Sequence, residues 1–167
     1  MPLPIPGLDH ISDATIFNFC SNIIILPAWL VLLLAPKWKM RQALVYATVL
    51  FNCMVYASYF VTWVGSNDDG LFKTFMDLGD LDGVTKQFAS NSDFILPAWL
   101  HYLVIDLTAG NYIVEKNAAD PHGLSQLLMA PVVFLSLMAG PLGVLMYATI
   151  RISTRLFANK PHAVKTS

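Results

Sequence analysis

Residues 94–114, FILPAWLHYLVIDLTAGNYIV, decide the fold of this chain. The stretch is almost wholly apolar, and its length is what a helix needs to cross a bilayer. It nevertheless contains two ionisable side chains, His101 and Asp106. Because a carboxyl group inside a membrane span is costly, such a residue usually faces the bundle interior or a water-filled cavity. This helix is therefore the first place to look for chemistry.

The composition predicts a polytopic membrane protein. Hydrophobic residues make up 56% of the chain and charged residues 13%, against about 45–50% and 25% in soluble proteins. Three further apolar runs accompany the first. We therefore predict an all-α fold, a single membrane domain over residues 1–167 with four transmembrane helices in two hairpins. The predicted spans are about residues 15–35, 43–64, 94–114 and 124–150.

The segment between the two hairpins, residues 65–93, is acidic. Its apolar residues recur at roughly helical spacing, which predicts short amphipathic helices on the membrane surface or capping the bundle. Basic residues lie instead in the 37–41 loop and in the C-terminal tail. Four spans would put these two basic segments on opposite sides of the membrane. The positive-inside rule would then predict opposite orientations from the two segments. We expect both termini on the cytoplasmic or stromal face.

The hexapeptide ILPAWL occurs at residues 25–30 and again at residues 95–100. Each copy opens one predicted hairpin, which indicates a degenerate two-hairpin repeat; chance identity in a Leu-rich chain is the alternative. Pro27, within the first copy, should kink the first helix. In the fourth span, the glycines of the GPLG step at residues 140–143 allow close approach by a neighbouring backbone or an apolar ligand.

His101 and Asp106 are the candidate catalytic residues. On an ideal helix Asp106 shares a face with Tyr102 and Gly110, whereas His101 lies around the side of the same half. An acid and an imidazole in an apolar bundle suit general acid–base chemistry on a membrane-dissolved substrate. The alternative is that both side chains only hydrogen-bond between helices and fix the packing.

Other kinds of site have little support in the residues. The net charge of −1 argues against a nucleic-acid partner. The histidines are dispersed and form no metal-ligand cluster. Cys20 and Cys53 lie in apolar runs and are too few for a metal site or a disulfide framework. His122, in a loop after a proline, is more typical of an ordinary surface histidine.

The third span matches a known pattern. Residues 99–113, WLHYLVIDLTAGNYI, resemble the W-x-H-Y-x-x-x-D-L-x-x-G-x-W-I pattern of the abscisic-acid-deficient-four-like family of integral membrane proteins. The similarity continues through Pro121-His122 and Pro131 into residues 140–147, and it covers about residues 78–150. The chain departs from the pattern at Asn111-Tyr112, where the family often has a basic residue followed by Trp.

The resemblance implies a four-helix membrane protein that acts on a carotenoid. Plant members of the family are associated with neoxanthin synthesis in plastids, in which an epoxide of violaxanthin opens to an allene; some other members are linked to carotenoid isomer formation. Such a reaction needs a proton donor and a base but no redox cofactor. We expect a protonated Asp106 as the acid and His101 as the base or the group that orients it. The substrate-binding residues implied are Tyr102, Gly110, His122, Gly140 and Gly143.

Two rival hypotheses stay open. The protein could be a non-catalytic subunit that binds a carotenoid or lipid in a groove along the fourth helix. It could also be a proton-coupled carrier, in which case the single acidic site would call for a homo-oligomer. Either way we expect a multi-pass protein of a bacterial inner membrane, or of a plastid or thylakoid membrane in a photosynthetic eukaryote.

Overall fold

The computed structural model describes residues 11–65, 76, 79–90 and 92–158, and the elements in them are helical. The all-α prediction is therefore confirmed. The N-terminal arm, part of the predicted 65–93 connector and the last residues of the basic tail lie outside the described residues. The elements are α1 (Asp13–Asn18), a π-helical segment (Phe19–Ile24), α2 (Ile25–Leu34), α3 (Arg41–Gly65), α4 (Leu81–Ser90), α5 (Ser92–Ala119), α6 (Gln126–Met138) and α7 (Gly140–Ala158).

The first helix runs without a break from α1 through the π-helical segment into α2. Ser12 begins it, since its side chain accepts a hydrogen bond from the Thr15 backbone N–H at 3.2 Å. A π-helical segment lies just before Pro27, and in it the Ile25 N–H donates to the Cys20 carbonyl. This wider turn relieves the clash between a proline ring and the carbonyl four residues earlier.

Helix α5 is the centre of the bundle and packs against α2, α3, α4, α6 and α7. Trp99 contacts Phe17 of α1, and Gly110 contacts Trp29 of α2, so the first helix runs parallel to α5. His101 lies beside Tyr56 of α3. The core between these helices is apolar; its most fully buried members include Trp29, Leu32, Val45, Leu107, Ile113 and Val132.

The predicted fourth span, residues 124–150, is not one helix. It is divided at Ala139, whose φ of −162° and ψ of 82° are far from helical values. In a continuous helix Ser136 and Gly143 would lie about 10.5 Å apart, but here Gly143 packs directly against Ser136. Further on, Arg151 forms an ion pair with Asp120, near the end of α5. The chain therefore reverses at Ala139, and α6 and α7 form an antiparallel hairpin.

The residues at the reversal explain it. Pro141 has no N–H to donate to the carbonyl of Leu137, so the helical hydrogen-bond ladder stops there. Pro131 lies inside α6 without dividing it. What allows the two halves to fold back is the absence of a Cβ at Gly143, since a side chain there would overlap with Ser136.

Among the described residues, two helical segments are long and apolar enough to cross a membrane by length and composition. They are Asp13–Leu34, with a mean hydropathy of 2.1, and Arg41–Trp63, with 1.6. Within the described residues, the third predicted span lies in α5 and the fourth is divided into α6 and α7. The count of four spans remains a prediction. Helix α4 occupies part of the predicted amphipathic connector, and Leu81 at its start is strongly exposed.

Candidate functional site

Asp106 lies at the middle of α5, where the hairpin of α6 and α7 has its tip. Its side chain is half-buried, and its carboxylate rests against Gly140, the first residue of α7. A Cβ at position 140 would overlap with Oδ1 of Asp106 and would lie 2.9 Å from its Cγ and 3.3 Å from its Cα. Only a glycine at this position allows the carboxylate to approach the helix backbone so closely.

The start of α7 offers this carboxylate a favourable electrostatic position. The Asp106 carboxylate lies directly beside Gly140, the first residue of this turn. The first turn of a helix carries N–H groups without partners in the helix and the positive end of its dipole. A negative charge or a hydrogen-bond acceptor is therefore stabilised there. The reversal of the chain thus turns the inner end of α7 into a binding position for an oxygen atom.

The surroundings of Asp106 are open on one side. Tyr102, one turn earlier on the same face of α5, is 58% exposed, and Leu142, beside the hairpin tip, is 51% exposed. Ile105 is also exposed. An apolar molecule could therefore reach the carboxylate from outside the bundle without entering a deep cavity, and would meet aromatic and aliphatic side chains around it.

His101 does not join Asp106. Its side chain is exposed, and its ring lies 5.7 Å from the ring of Tyr56 and 6.3 Å from that of Tyr102, measured between centroids. Across the described residues, no hydrogen bond or ion pair connects it to Asp106. Five residues separate the two along α5, which is about 7.5 Å of helix. His101 faces α3, whereas Asp106 faces α7, so the histidine does not orient the carboxylate.

Two of the predicted substrate-binding glycines, Gly110 and Gly143, lie against side chains of the bundle and away from Asp106. A Cβ at Gly110 would lie 2.7 Å from two ring carbons of Trp29, so the space beside this glycine is filled by the buried indole. Gly143 is covered by Ser136, which is itself buried. Of the three glycines singled out in the sequence, only Gly140 lies at Asp106.

His122 belongs to the far end of α5. Its backbone N–H donates to the Asp120 carboxylate at 2.8 Å, and its carbonyl accepts from Arg151 at 2.7 Å. These bonds hold the turn between α5 and α6. Its side chain is exposed and lies sixteen residues along the chain from Asp106, so it is not part of the same site.

The side chains that pack against Gly110 and Gly143 could not be predicted from the sequence. Trp29 and Ser136 fill the glycine gaps, but glycine spacing alone does not tell which side chain enters a gap.

A pocket of about 180 Å³ lies elsewhere, between α2, α5 and α6, and none of the predicted site residues lines it. In the part of the chain that the structure describes, no group of three or more His, Cys, Asp or Glu could hold a metal ion.

Asp106 lies in a part of the chain that matches a known protein family. The family described as ABA DEFICIENT 4-like matches residues 15–147, which include Asp106 and the whole hairpin tip. The chain belongs to the ABA DEFICIENT 4-like family. The protein ABA DEFICIENT 4, chloroplastic, of Arabidopsis thaliana is 27% identical to it over 121 residues, or 67% of this chain.

The relationship is distant and partial. The chain spans about half the length of this curated relative, since the match covers 54% of it. No solved structure matches the chain. The resemblance seen in residues 99–113 is thus confirmed at the level of the family, and the match extends it to the first two helices.

Proposed function

We propose that this ABA DEFICIENT 4-like protein is a multi-pass membrane protein that isomerises a carotenoid, with Asp106 as its acid. The observation that carries the proposal is the position of the Asp106 carboxylate against the start of α7, halfway along the central helix. Carboxyl groups at such depth in a membrane are costly and usually functional. Family membership supports the substrate class, because the plant members that residues 99–113 resemble are associated with neoxanthin synthesis.

The proposed reaction is a rearrangement within one molecule. Protonated Asp106 donates its proton to an epoxide oxygen, the C–O bond opens to a hydroxyl, and a base removes a hydrogen from the polyene. The removed proton balances the donated one, so the substrate and product have the same atoms and no redox cofactor is consumed. After proton transfer, the charged carboxylate would be stabilised by the N–H of Gly140 and the dipole of α7.

His101 would serve as the base only across an extended substrate. It lies about 7.5 Å before Asp106 along the axis of α5, beside Tyr56 and Tyr102, whose rings could pack against a polyene. A substrate lying along the exposed face of α5 would pass both ionisable groups. Replacing His101 by Gln should then reduce turnover less than replacing Asp106, because the acid activates the leaving oxygen.

Pigment analysis of a carotenoid-producing host tests the proposal. Cells that express the wild-type protein should contain a new isomer or allenic product by HPLC, and cells that express Asp106→Asn should not. Asp82→Asn is the matched control, since Asp82 is exposed in the first turn of α4, away from the site. Both variants must reach wild-type levels in the membrane. Wild-type turnover by Asp106→Asn would refute the role of this residue.

A non-catalytic carotenoid-binding subunit is the second candidate. It is favoured by the separation of His101 from Asp106, which leaves the acid without an adjacent base. On this hypothesis pigment would co-purify in unchanged form with wild type and Asp106→Asn alike, and no new product would accumulate in the cells.

A further inference from the structure

The 37–41 loop and the basic end of α7 both lie at one end of the bundle. Arg41, at the start of α3, lies 3.9 Å from Glu115, and Gln42 donates to the same carboxylate at 2.9 Å. Arg151 of α7 forms an ion pair with Asp120. Because Glu115 and Asp120 both lie at the C-terminal end of α5, the 37–41 loop and the end of α7 are on the same side. The hairpin at Ala139 brings them together.

The charges divide between the two ends of the bundle. Among the described residues, the end formed by the 37–41 loop and the 115–123 region carries six cations against Glu115 and Asp120. These cations are Lys37, Lys39, Arg41, Lys116, Arg151 and Arg155. The opposite end, where Asp13 accepts a hydrogen bond from Tyr59 and where α4 precedes α5, is acidic. The conflict in the positive-inside rule therefore disappears once α7 is known to turn back.

We propose that the chain crosses the membrane three times, and that α6 and α7 form a re-entrant hairpin whose basic end lies against anionic lipid headgroups of the cytoplasmic or stromal leaflet. This inference rests on the membrane placement proposed above. Helix α6 has 13 residues, or about 20 Å, whereas the hydrocarbon core is about 30 Å thick. The hairpin therefore enters from the basic side, reaches mid-depth beside Asp106, and returns.

The exposed groups at the basic end suit a lipid surface. Trp38 is 49% exposed and stands between Lys37 and Lys39, which are also exposed. Indole rings favour the headgroup region, and lysines beside them attract anionic lipids. The Arg155 side chain is 72% exposed although it reaches Asp120. Buried Arg41 and Arg151 are held by the protein itself, so the exposed lysines and Arg155 are the groups left for headgroups.

Single-cysteine labelling tests the topology in the full chain. Lys39→Cys, Ala89→Cys and Thr154→Cys place thiols at exposed positions in the 37–41 loop, α4 and α7. A background with Cys20→Ala and Cys53→Ala removes the native thiols; a second series keeps them, since both lie within helices and unmodified wild type serves as its blank. Bacterial cells that express each variant are treated with a membrane-impermeant maleimide before and after permeabilisation.

Three spans with a hairpin predict that Ala89→Cys reacts in intact cells. Lys39→Cys and Thr154→Cys should react only after permeabilisation. If Thr154→Cys reacts together with Ala89→Cys, the fourth segment crosses the membrane and the hairpin is refuted. If Lys39→Cys and Thr154→Cys react from outside, the proposed orientation is wrong. Recovery of the protein in the soluble fraction would instead refute the membrane placement on which the proposed function also depends.

Lipid preference tests the headgroup contact separately. Protein reconstituted in mixed phosphatidylcholine and phosphatidylglycerol vesicles, then extracted, should retain phosphatidylglycerol in excess of its share of the vesicle. The combined Lys37→Gln and Lys39→Gln variant should lose this enrichment, and Lys86→Gln, at the acidic end, should keep it. Equal retention of the two lipids by the wild-type protein would overturn the proposed contact.

Discussion

Replacement of Gly140 by Ala tests whether close contact with α7 positions Asp106. The new Cβ would overlap with Oδ1 of Asp106 and lie 2.9 Å from Cγ. Rotation of the carboxylate cannot remove the whole clash, because the Cα of Asp106 is also only 3.3 Å away. Helices α5 and α7 must therefore move apart by a few tenths of an ångström. Overpacking of this kind costs about 1–3 kcal/mol.

The effect on turnover should exceed the effect on stability. A carboxylate displaced from the start of α7 loses a dipole interaction of about 0.3–2 kcal/mol, and misplacement of a reacting group by about 1 Å can reduce a rate roughly 100-fold. The assay combines carotenoid HPLC with the thermal unfolding midpoint in detergent. Gly65→Ala is the matched control, because nothing lies within 4 Å of a Cβ at that position.

A double variant separates the clash from a general packing defect. Combining Gly140→Ala with Asp106→Ala removes the overlapping carboxylate, so part of the lost stability should return while turnover stays absent. Such coupling between neighbours is what a double-mutant cycle measures. If Gly140→Ala matches Gly65→Ala in both unfolding midpoint and product yield, the reasoning about the hairpin tip is refuted.

Further predictions compare poorly exposed contacts with exposed ones. Trp29→Phe should destabilise the protein by about 1–3 kcal/mol, because it leaves a gap beside Gly110. Trp99→Phe should cost about 1 kcal/mol or less, since it loses an exposed hydrogen bond of 3.0 Å; equal unfolding midpoints would contradict this. Asp120→Asn should cost about 1–3 kcal/mol by weakening the hold on poorly exposed Arg151. Arg155→Gln, at a side chain that is 72% exposed, should cost about 0–1 kcal/mol in the same assay.

The sequence predicted the helices better than their arrangement. An apolar run with one carboxyl group near its centre gave both α5 and the candidate site. The prolines correctly marked two irregularities, one before Pro27 and one at Pro141. However, a Gly-Pro step only shows that a helical ladder stops. Whether the next helix continues, bends or reverses depends on what it packs against, and Ser136 and Asp106 supply those contacts from elsewhere in the fold.

The predicted pairing of His101 with Asp106 shows a similar limit. Helical geometry places both on the same half of α5, which is true, but each faces a different neighbour. The two basic segments, in contrast, carry a signal of the reversal in their charge. Four spans would put these segments on opposite sides of the membrane, whereas a reversal in the last segment puts them on the same side. Charge alone could not locate that reversal at Ala139.

The backbone N–H groups at the hairpin tip need few acceptors from outside the hairpin. In the first turn of α7, Leu142 and Gly143 donate to the Ala139 carbonyl at 2.8 Å and 3.4 Å, and Pro141 has nothing to donate. Gly140 is the remaining donor, and Asp106 lies beside it. A helix end in apolar surroundings would ordinarily need several external acceptors. Here the Asp106 carboxylate lies against the first residue of the turn, so the acceptor at this helix end comes from α5 and not from the hairpin itself.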